Sequence, residues 1–424
     1  MTKFGNYHKA VNFLEGLNNL PLQGDYMIDK NHADVYLKRM RYFLELLGNP
    51  DKKIKFIHIA GTSGKGTVTN TIHEILHAAG KKVGSFTSPS VTTSIEKIKV
   101  KDKYIAPDEF AEIVNYLKPF IDKAYLEGPY GRPSYFEIFL ALALVYFQRQ
   151  KCEWVVLEVG LGGRFDATNV IEKPAITAIT NIDYDHTEIL GKTLKKIAYD
   201  KAGIIKQGSV VFTTEQRFSL LKIFSEISRK KDVKLNVLPQ QNDYREYNRE
   251  LAAAVTRYIG IENKYIIRGI KSARLACRFE TVQDKPVVVL DGAHNRSKIK
   301  TTIDNLKKLE FRKLYLIIGI ADNKDHASIL EQIIPKADHI FFTRFQSKDR
   351  KSAHPKDLLT KSKRYFKKEL ESEIYLDAEG ALSKALKLAK PNDIVLVAGS
   401  FFLAGELRKL WYPEDLVLER RKSF

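Results

Sequence analysis

The chain has 424 residues, 44% hydrophobic and 29% charged, which excludes a disordered segment and supplies apolar material for two or three cores. Its two cysteines, Cys152 and Cys277, have neither the number nor the spacing of a disulfide framework or a zinc site, and are expected as packing residues in a reducing compartment. A net charge of +19 raises nucleic acid as a partner, but the lysines are spread along the whole chain, in helix-surface runs such as Lys361 to Lys368, without a nucleic-acid motif; a solvated basic surface that attracts an anionic substrate is expected instead.

The opening MTKFGNYHKA carries no signal-peptide apolar segment. Val11, Leu14 and Leu17, then Tyr36, Met40, Phe43 and Leu47, recur at helical spacing and predict two helices joined by a polar connection from Leu20 to Asn31. From Ile54 to Thr67, IKFIHIAGTSGKGT, an apolar strand runs into a Gly-rich turn that opens a helix through Ile72, Ile75, Leu76 and Ala79. Such a turn cradles phosphate. The backbone from Gly61 through Thr62, Ser63 and Gly64 to Gly66 and a helix N-terminus face one point, Lys65 adds positive charge, and Thr67 offers a hydroxyl to a phosphate-bound Mg²⁺. Ile59 stands where the general pattern has its first Gly, and Gly66 separates Lys65 from Thr67, so a plain Gly turn remains the alternative.

Gly80 ends that helix, Lys82 to Thr87 reads as a second strand leading to Ser88-Pro89-Ser90, and Glu96 to Tyr104 as a hairpin. Pro107 starts a helix through Phe110, Ile113 and Leu117, and Tyr135 to Gln148 is an apolar core helix. Its run Ile138 to Phe147 is about half the length needed to cross a bilayer, so a soluble, cytoplasmic protein without a membrane partner is expected. Trp154 to Val159, WVVLEV, reads as a parallel strand buried on both faces, in which Glu158 must be paired, protonated or bound to a cation. Gly160, Gly162 and Gly163 follow, with Arg164 and Asp166. The strand Ala175 to Ile179 ends near Asp183, Asp185 and His186, so two successive strand ends deliver polar groups beside one cradle.

A helix from Thr193 carries Asp200 and Lys201 into an Ala202-Gly203-Ile204 stop, Ser209 to Thr213 reads as a strand, and a helix from Tyr247 to Tyr258 closes this half. The polar passage Arg268 to Arg278 reads as a hinge. A second α/β alternation then begins: strand Pro286 to Leu290, loop Asp291 to Asn295, a helix with Ile299, Ile303 and Leu306, strands at Lys313 to Ile318, near Ile340 and near Ile374, a helix around Ala381 to Leu388, and strand Ile394 to Val397. The predicted fold is α/β: an N-terminal phosphate-loop ATPase-like domain over 1–270 with a mostly parallel central sheet, a hinge at 271–279, and a smaller Rossmann-like domain over 280–424.

Together these strings resemble the folylpolyglutamate synthase/dihydrofolate synthase family, ATP-dependent amide ligases related to the cell-wall Mur ligases. GTSGKGT resembles the family's GTNGKGS, TSPS its SPH element, SYFE its TYFE, DYDHTEILG its DHT…LG and DKAGI its EKAGI; LEVGLGGRFDATN is nearly identical and DGAHN identical. The resemblance covers almost the whole chain in the right order. Mur ligases usually carry GKTT in the cradle, so Gly66 favours the folate branch. Departures are Ser63 for Asn, Ser90 for His and Asp200 for Glu.

The resemblance implies ATP on the Gly61 to Thr67 backbone, and Mg²⁺, at one or two sites, held by Thr67, Ser88, Glu158, His186 and a carbamylated Lys201. It further implies nucleotide contacts from Asn248, Arg278, Asp291 and His294, with Lys65, Lys201 and His294 in catalytic roles. The implied activity joins L-glutamate to a folate or dihydropteroate carboxylate through an acyl phosphate, in a monomer closing about the hinge. Taken singly, Lys65 could be a surface lysine, Glu158 an ion-pair member, His186 a core histidine and Lys201 a salt-bridge partner; His186 is the least comfortable, since Mg²⁺ prefers oxygen. A Mur-like ligase on a cell-wall precursor and a non-catalytic nucleotide-binding module are the alternatives.

Overall fold

The structure is a computed structural model and describes residues 3–17, 34–241, 243–347 and 350–424. The predicted Leu20 to Asn31 connection lies outside the described residues. The chain divides into two compact units: unit 1 takes it as far as Ser90, then Ser94–Arg274 and Leu418–Lys422, and unit 2 takes Val91–Thr93, Leu275–Val417 and Ser423–Phe424.

Among the described residues, unit 1 holds an eight-stranded sheet of β1 (Lys55–Ala60), β2 (Val83–Phe86), β3 (Ile98–Val100), β4 (Lys103–Tyr104), β5 (Trp154–Glu158), β6 (Ile176–Ile179), β7 (Val210–Thr213) and β8 (Leu235–Val237), ordered β4-β3-β2-β5-β1-β6-β7-β8. From β2 along to β8 every pairing is parallel, and only the short β3 runs the other way, pairing antiparallel with both β2 and β4. Both faces of the central strands are covered, and their side chains divide by alternation. Phe56, Val155 and Leu157 join one core with Phe110, Phe139 and Phe147, whereas Ile57, Ile59 and Val156 join another with Ile72, Ile75 and Leu251.

The register fixes the site. Ile59 lies opposite Glu158 and Ala60 opposite Ile179, so the C-terminal ends of β5, β1 and β6 stand side by side. Because β1 is joined to neighbours that follow it in sequence on both sides, this edge is where the strand order reverses, the usual ligand position of an open α/β sheet.

Unit 2 carries a six-stranded sheet of β9 (Glu280–Asp284), β10 (Val287–Leu290), β11 (Leu314–Ile318), β12 (His339–Phe342), β13 (Glu371–Ile374) and β14 (Ile394–Ala398), ordered β13-β12-β11-β14-β10-β9, parallel except for β9. The described residues contain no helix long and apolar enough to cross a membrane.

Two expectations are corrected. The passage from Arg268, read as a hinge, is helical as far as Ser272, because the helix Asn263–Ser272 packs on the cradle helix Lys65–Ala78 through Gly269, where any Cβ would lie 2.4 Å from Ile75 Cα. The Lys361 to Lys368 run is helical only to Ser362 and continues as a 3₁₀ turn, Lys363–Tyr365. The helix Phe218–Lys230 and strands β8 and β9 were not anticipated. β8 is a three-residue edge strand, and β9, ETVQD, is too polar for an apolar-run criterion.

Candidate active site

The cradle runs between β1 and the helix Lys65–Ala78. Gly64 caps that helix with φ 85°, in the left-handed region that favours glycine, and a Cβ there would lie 2.4 Å from Asn248 Oδ1 and displace that side chain. The same contact puts Asn248, on the helix Tyr244–Tyr258, directly over the turn. No side chain caps the helix and its first turn holds no acidic residue, which leaves the positive end of the helix to a ligand anion. Lys65 Nζ donates to Gly61 O at 3.2 Å.

The next strand end braces the turn. Thr62 N donates to Asn181 O at 2.9 Å, Ser63 N to Asn181 Oδ1 at 3.2 Å, Asp183 N to Thr62 Oγ1 at 2.9 Å, and Thr62 Oγ1 to Asp183 O at 3.1 Å. Asn181 was missed by the sequence reading, although it lies two residues beyond the end of β6.

Glu158 ends β5, is 5% exposed, and accepts from Ser88 N at 3.2 Å. A Cβ on Gly66 would meet its two carboxylate oxygens at 3.2 and 3.5 Å, so the carboxylate sits against the first turn of the cradle helix. Ser88 is thus joined to Glu158 through its backbone N–H, and the Ser88–Pro89 bond is cis.

Lys201 is 4% exposed and donates to Gly61 O at 2.9 Å, the carbonyl that Lys65 also uses. Burial, and then the Lys65 charge, lower its pKa from 10.5 to about 7. Asp200 is pushed above the ordinary carboxylate range by burial, against the pull of Lys201.

His186 is left-handed at φ 50° and caps the short helix Thr187–Leu190, its imidazole 3.8 Å from Asp185 and 3.8 Å from Glu188. Among the described residues no group of three His, Cys, Asp and Glu side chains is gathered closely enough to hold a metal. The donors around the cradle, Glu158 with the hydroxyls of Ser88 and Thr67, are nevertheless oxygens of the kind a hard cation takes alongside water and phosphate, so they fit Mg²⁺.

A second buried group joins Asp166, named from the sequence, to His58, which was not. Asp166 accepts from Leu161 N and Thr168 N, both at 2.9 Å, and from the Thr168 hydroxyl. Thr168 Oγ1 is in turn 2.8 Å from His58 Nε2. Since the hydroxyl proton goes to Asp166, His58 must donate from Nε2 and is neutral; burial, then the Lys206 charge, depress its pKa to about 3. Its one visible signal was a lone imidazole in the apolar run KFIHIA.

In unit 2 the DGAHN loop follows β10. Asp291 accepts from Ala293 N at 3.1 Å and from the Thr302 hydroxyl at 2.7 Å, and burial raises its pKa while Arg278 and Lys298 oppose the rise. His294 Nδ1 donates to Gly292 O at 2.7 Å, which leaves Nε2 to accept from Lys298 Nζ at 3.0 Å. Arg278 stacks over Phe401 at 4.5 Å and is flanked by the left-handed residues Cys277 and Phe279. Cys152 and Cys277 are both buried packing residues.

The family described as "Mur ligase middle domain" matches residues 124–256, and "Mur ligase, glutamate ligase domain" matches residues 277–401. The chain is 30% identical over 414 residues to the dihydrofolate synthase/folylpolyglutamate synthase of Bacillus subtilis, covering 88% of this chain and 94% of that protein. The solved folylpolyglutamate synthase of Thermotoga maritima matches with a TM-score of 0.79 at 29% identity, over 96% of this chain and 98% of that one. A bifunctional folylpolyglutamate synthase/dihydrofolate synthase with Mn, AMPPNP and L-glutamate bound matches with a TM-score of 0.78 at 25% identity, over 89% and 94%.

Proposed function

We infer, because the chain belongs to the dihydrofolate synthase/folylpolyglutamate synthase family, that it is an ATP-dependent ligase joining L-glutamate to the carboxylate of a folate or dihydropteroate. The observation that carries this reading is the meeting of an uncapped helix N-terminus, Lys65 and the buried Glu158 at one sheet edge.

A carboxylate is a poor electrophile. Its oxygen therefore first bonds to the γ-phosphorus of ATP, the bond to the β–γ bridging oxygen breaks, and ADP leaves. The amine of glutamate then attacks the acyl carbon, a C–N bond forms, the C–O bond to phosphate breaks, and the amine sheds a proton. The chain supplies no covalent nucleophile in this account. The Gly61 to Thr67 turn holds the phosphates through the backbone N–H groups other than those of Thr62 and Ser63, which Asn181 takes, Lys65 offsets the charge that develops on the transferring group, and Asn248 contacts the nucleotide over Gly64.

We propose Thr67, Ser88, Glu158, His186 and a carbamylated Lys201 as the residues that hold Mg²⁺, which when bound would neutralise phosphate charge. Lys201 is suited to the modification, because carbon dioxide adds only to a neutral amine and a pKa of about 7 leaves much of it neutral. Arg278, Asp291 and His294 are proposed as nucleotide contacts from unit 2, which we take as the glutamate-ligase domain, with 1–270 binding ATP and folate. We propose a cytoplasmic monomer acting on small molecules, whose scattered lysines give a basic surface for anionic substrates.

The test is a coupled ADP-release assay with dihydropteroate and with tetrahydrofolate, each with and without glutamate. Glutamate-dependent release with at least one pterin is expected. Release only with a nucleotide-linked muropeptide, or with no acceptor, would overturn the reading.

A further inference from the structure

β7 ends in an ion pair that the reaction as described does not use. Glu215 is 4% exposed, and Arg217, two residues on, donates Nε to its Oε1 and Nη2 to its Oε2, both at 2.7 Å. The backbone N–H groups of Gln216 and Arg217 add bonds at 3.1 and 3.0 Å to Oε1. A pair so close in sequence could serve only to finish its own strand. Its remaining bonds say otherwise, for both reach across to the end of β6. Glu215 Oε2 accepts from Ile182 N at 3.2 Å, and Arg217 Nη2 donates to Ile182 O.

Ile182 is thus gripped at both its backbone groups. The residues on either side of it are those that brace the cradle: Asn181 takes the N–H groups of Thr62 and Ser63, and Asp183 exchanges two bonds with the Thr62 hydroxyl. Burying a carboxylate is costly, and an apolar residue against Ile182 would hold the strand end at less expense. An apolar contact, however, would not fix the peptide plane of Ile182, and with it the directions in which Asn181 and Asp183 meet the cradle.

We propose that the Glu215–Arg217 pair is a positioning device for nucleotide binding: it fixes the 181–183 segment, and through it sets the Thr62 and Ser63 backbone from which the rest of the phosphate turn is hung. The pair itself touches no substrate. The proposal rests on the cradle reading given under the proposed function.

The test uses the full chain and three variants, Arg217→Met, Arg217→Lys and the double variant Glu215→Gln/Arg217→Met. The Arg217 side chain is 44% exposed, so its loss opens no cavity, and the double variant leaves no buried unpaired charge should the single one fold poorly. Arg217→Met and the double variant are expected to raise the KM for ATP and the Kd for ADP by about tenfold, leaving the KM for glutamate and for the pterin within about twofold. Arg217→Lys, able to make one of the two contacts, should fall between. Unchanged ATP and ADP parameters would overturn the proposal, as would an equal loss in all three substrates tracking a lowered Tm. Lys65→Ala is measured in parallel. Wild-type ADP affinity indifferent to Lys65→Ala would overturn the cradle reading and the proposal with it, whereas a Lys65-dependent wild type with an unaltered double variant overturns the positioning role alone.

Discussion

Replacing Lys201 separates a cation from an anion at the centre of the site. Its amine shares the Gly61 carbonyl with Lys65, at 2.9 and 3.2 Å, and burial and the Lys65 charge bring its pKa from 10.5 to about 7. At pH 7 that shift takes the neutral fraction from about three in ten thousand to about one half. Carbamylation forms an N–C bond and releases one proton, giving an N-carboxylate that keeps one N–H for Gly61. Lys201→Ala is expected to lose at least about a hundredfold in kcat/KM and to recover part of it in acetate or formate, but not in chloride at equal ionic strength. Lys201→Arg, a cation that cannot be carbamylated, should be as inactive and stay so in acetate. The assay is glutamate-dependent ADP release. Lys201→Arg at wild-type rate would refute the carbamate and show that only a positive charge was needed.

The environment of the amine has its own check. Between about pH 7 and 10.5 the unfolded chain holds the Lys201 proton and the folded chain has lost it, so in carbon dioxide-free buffer wild-type stability from this group rises with pH over that window and is flat below it. Lys201→Met has no such contribution. Its Tm advantage over wild type should therefore be largest below pH 7 and shrink towards pH 10; a constant difference would show that the amine is not depressed.

Lys65→Ala should cut turnover by about a hundredfold or more at saturating ATP while shifting Tm little, since a half-buried charge on a phosphate turn serves the ligand and not the core; near wild-type turnover would remove the cradle assignment. Glu158→Gln keeps the shape but removes an anion, so part of its activity should return as Mg²⁺ is raised; a fully active variant indifferent to Mg²⁺ would reduce Glu158 to a structural carboxylate. Arg39 and Glu137, each 1% exposed, meet at 2.9 Å, and Arg39→Met alone strands a buried carboxylate, so denaturant unfolding should show a loss of about 3–5 kcal/mol, with less than about 1 kcal/mol contradicting it.

What the sequence made legible was whatever is local. WVVLEV and KFIHIA announce buried parallel strands, and a carboxylate at the end of one of them has few places to be other than a ligand edge. SYFE could be matched as a string, but its physical content is tertiary. Ser134 and Glu137 form a capping box, at 3.3 and 2.6 Å, while the same carboxylate takes Arg39 from a helix about a hundred residues away. The helix Asn263–Ser272 was missed because only Ile266 and Gly269 are buried, and Gly269, which reads as a helix breaker, is there to let Ile75 approach. Asn181, His58 and the Glu215–Arg217 pair were invisible for the same reason: their partners are brought by strand order and not by spacing.

The glycine that spoils the general phosphate-loop pattern is itself explained by the fold. In the pattern Lys and the hydroxyl residue are adjacent, and Gly66 pushes Thr67 one place along the helix. With both oxygens of Glu158 lying 3.2 and 3.5 Å from where a Cβ on residue 66 would be, a side chain there would press on the carboxylate and shift it from its place at the end of β5, opposite Ile59. Gly66 therefore lets an anionic strand end approach the first turn of a helix whose positive end favours it. The consequence is a fixed negative group immediately behind a turn that must receive several phosphate charges. Left alone, that carboxylate would oppose the phosphates; a divalent cation shared between them turns the repulsion into a bridge. On this argument Gly66 and Glu158 form one device, and Gly66→Ala should raise the Mg²⁺ concentration needed for activity, as Glu158→Gln does, although alanine at that position contributes no charge of its own.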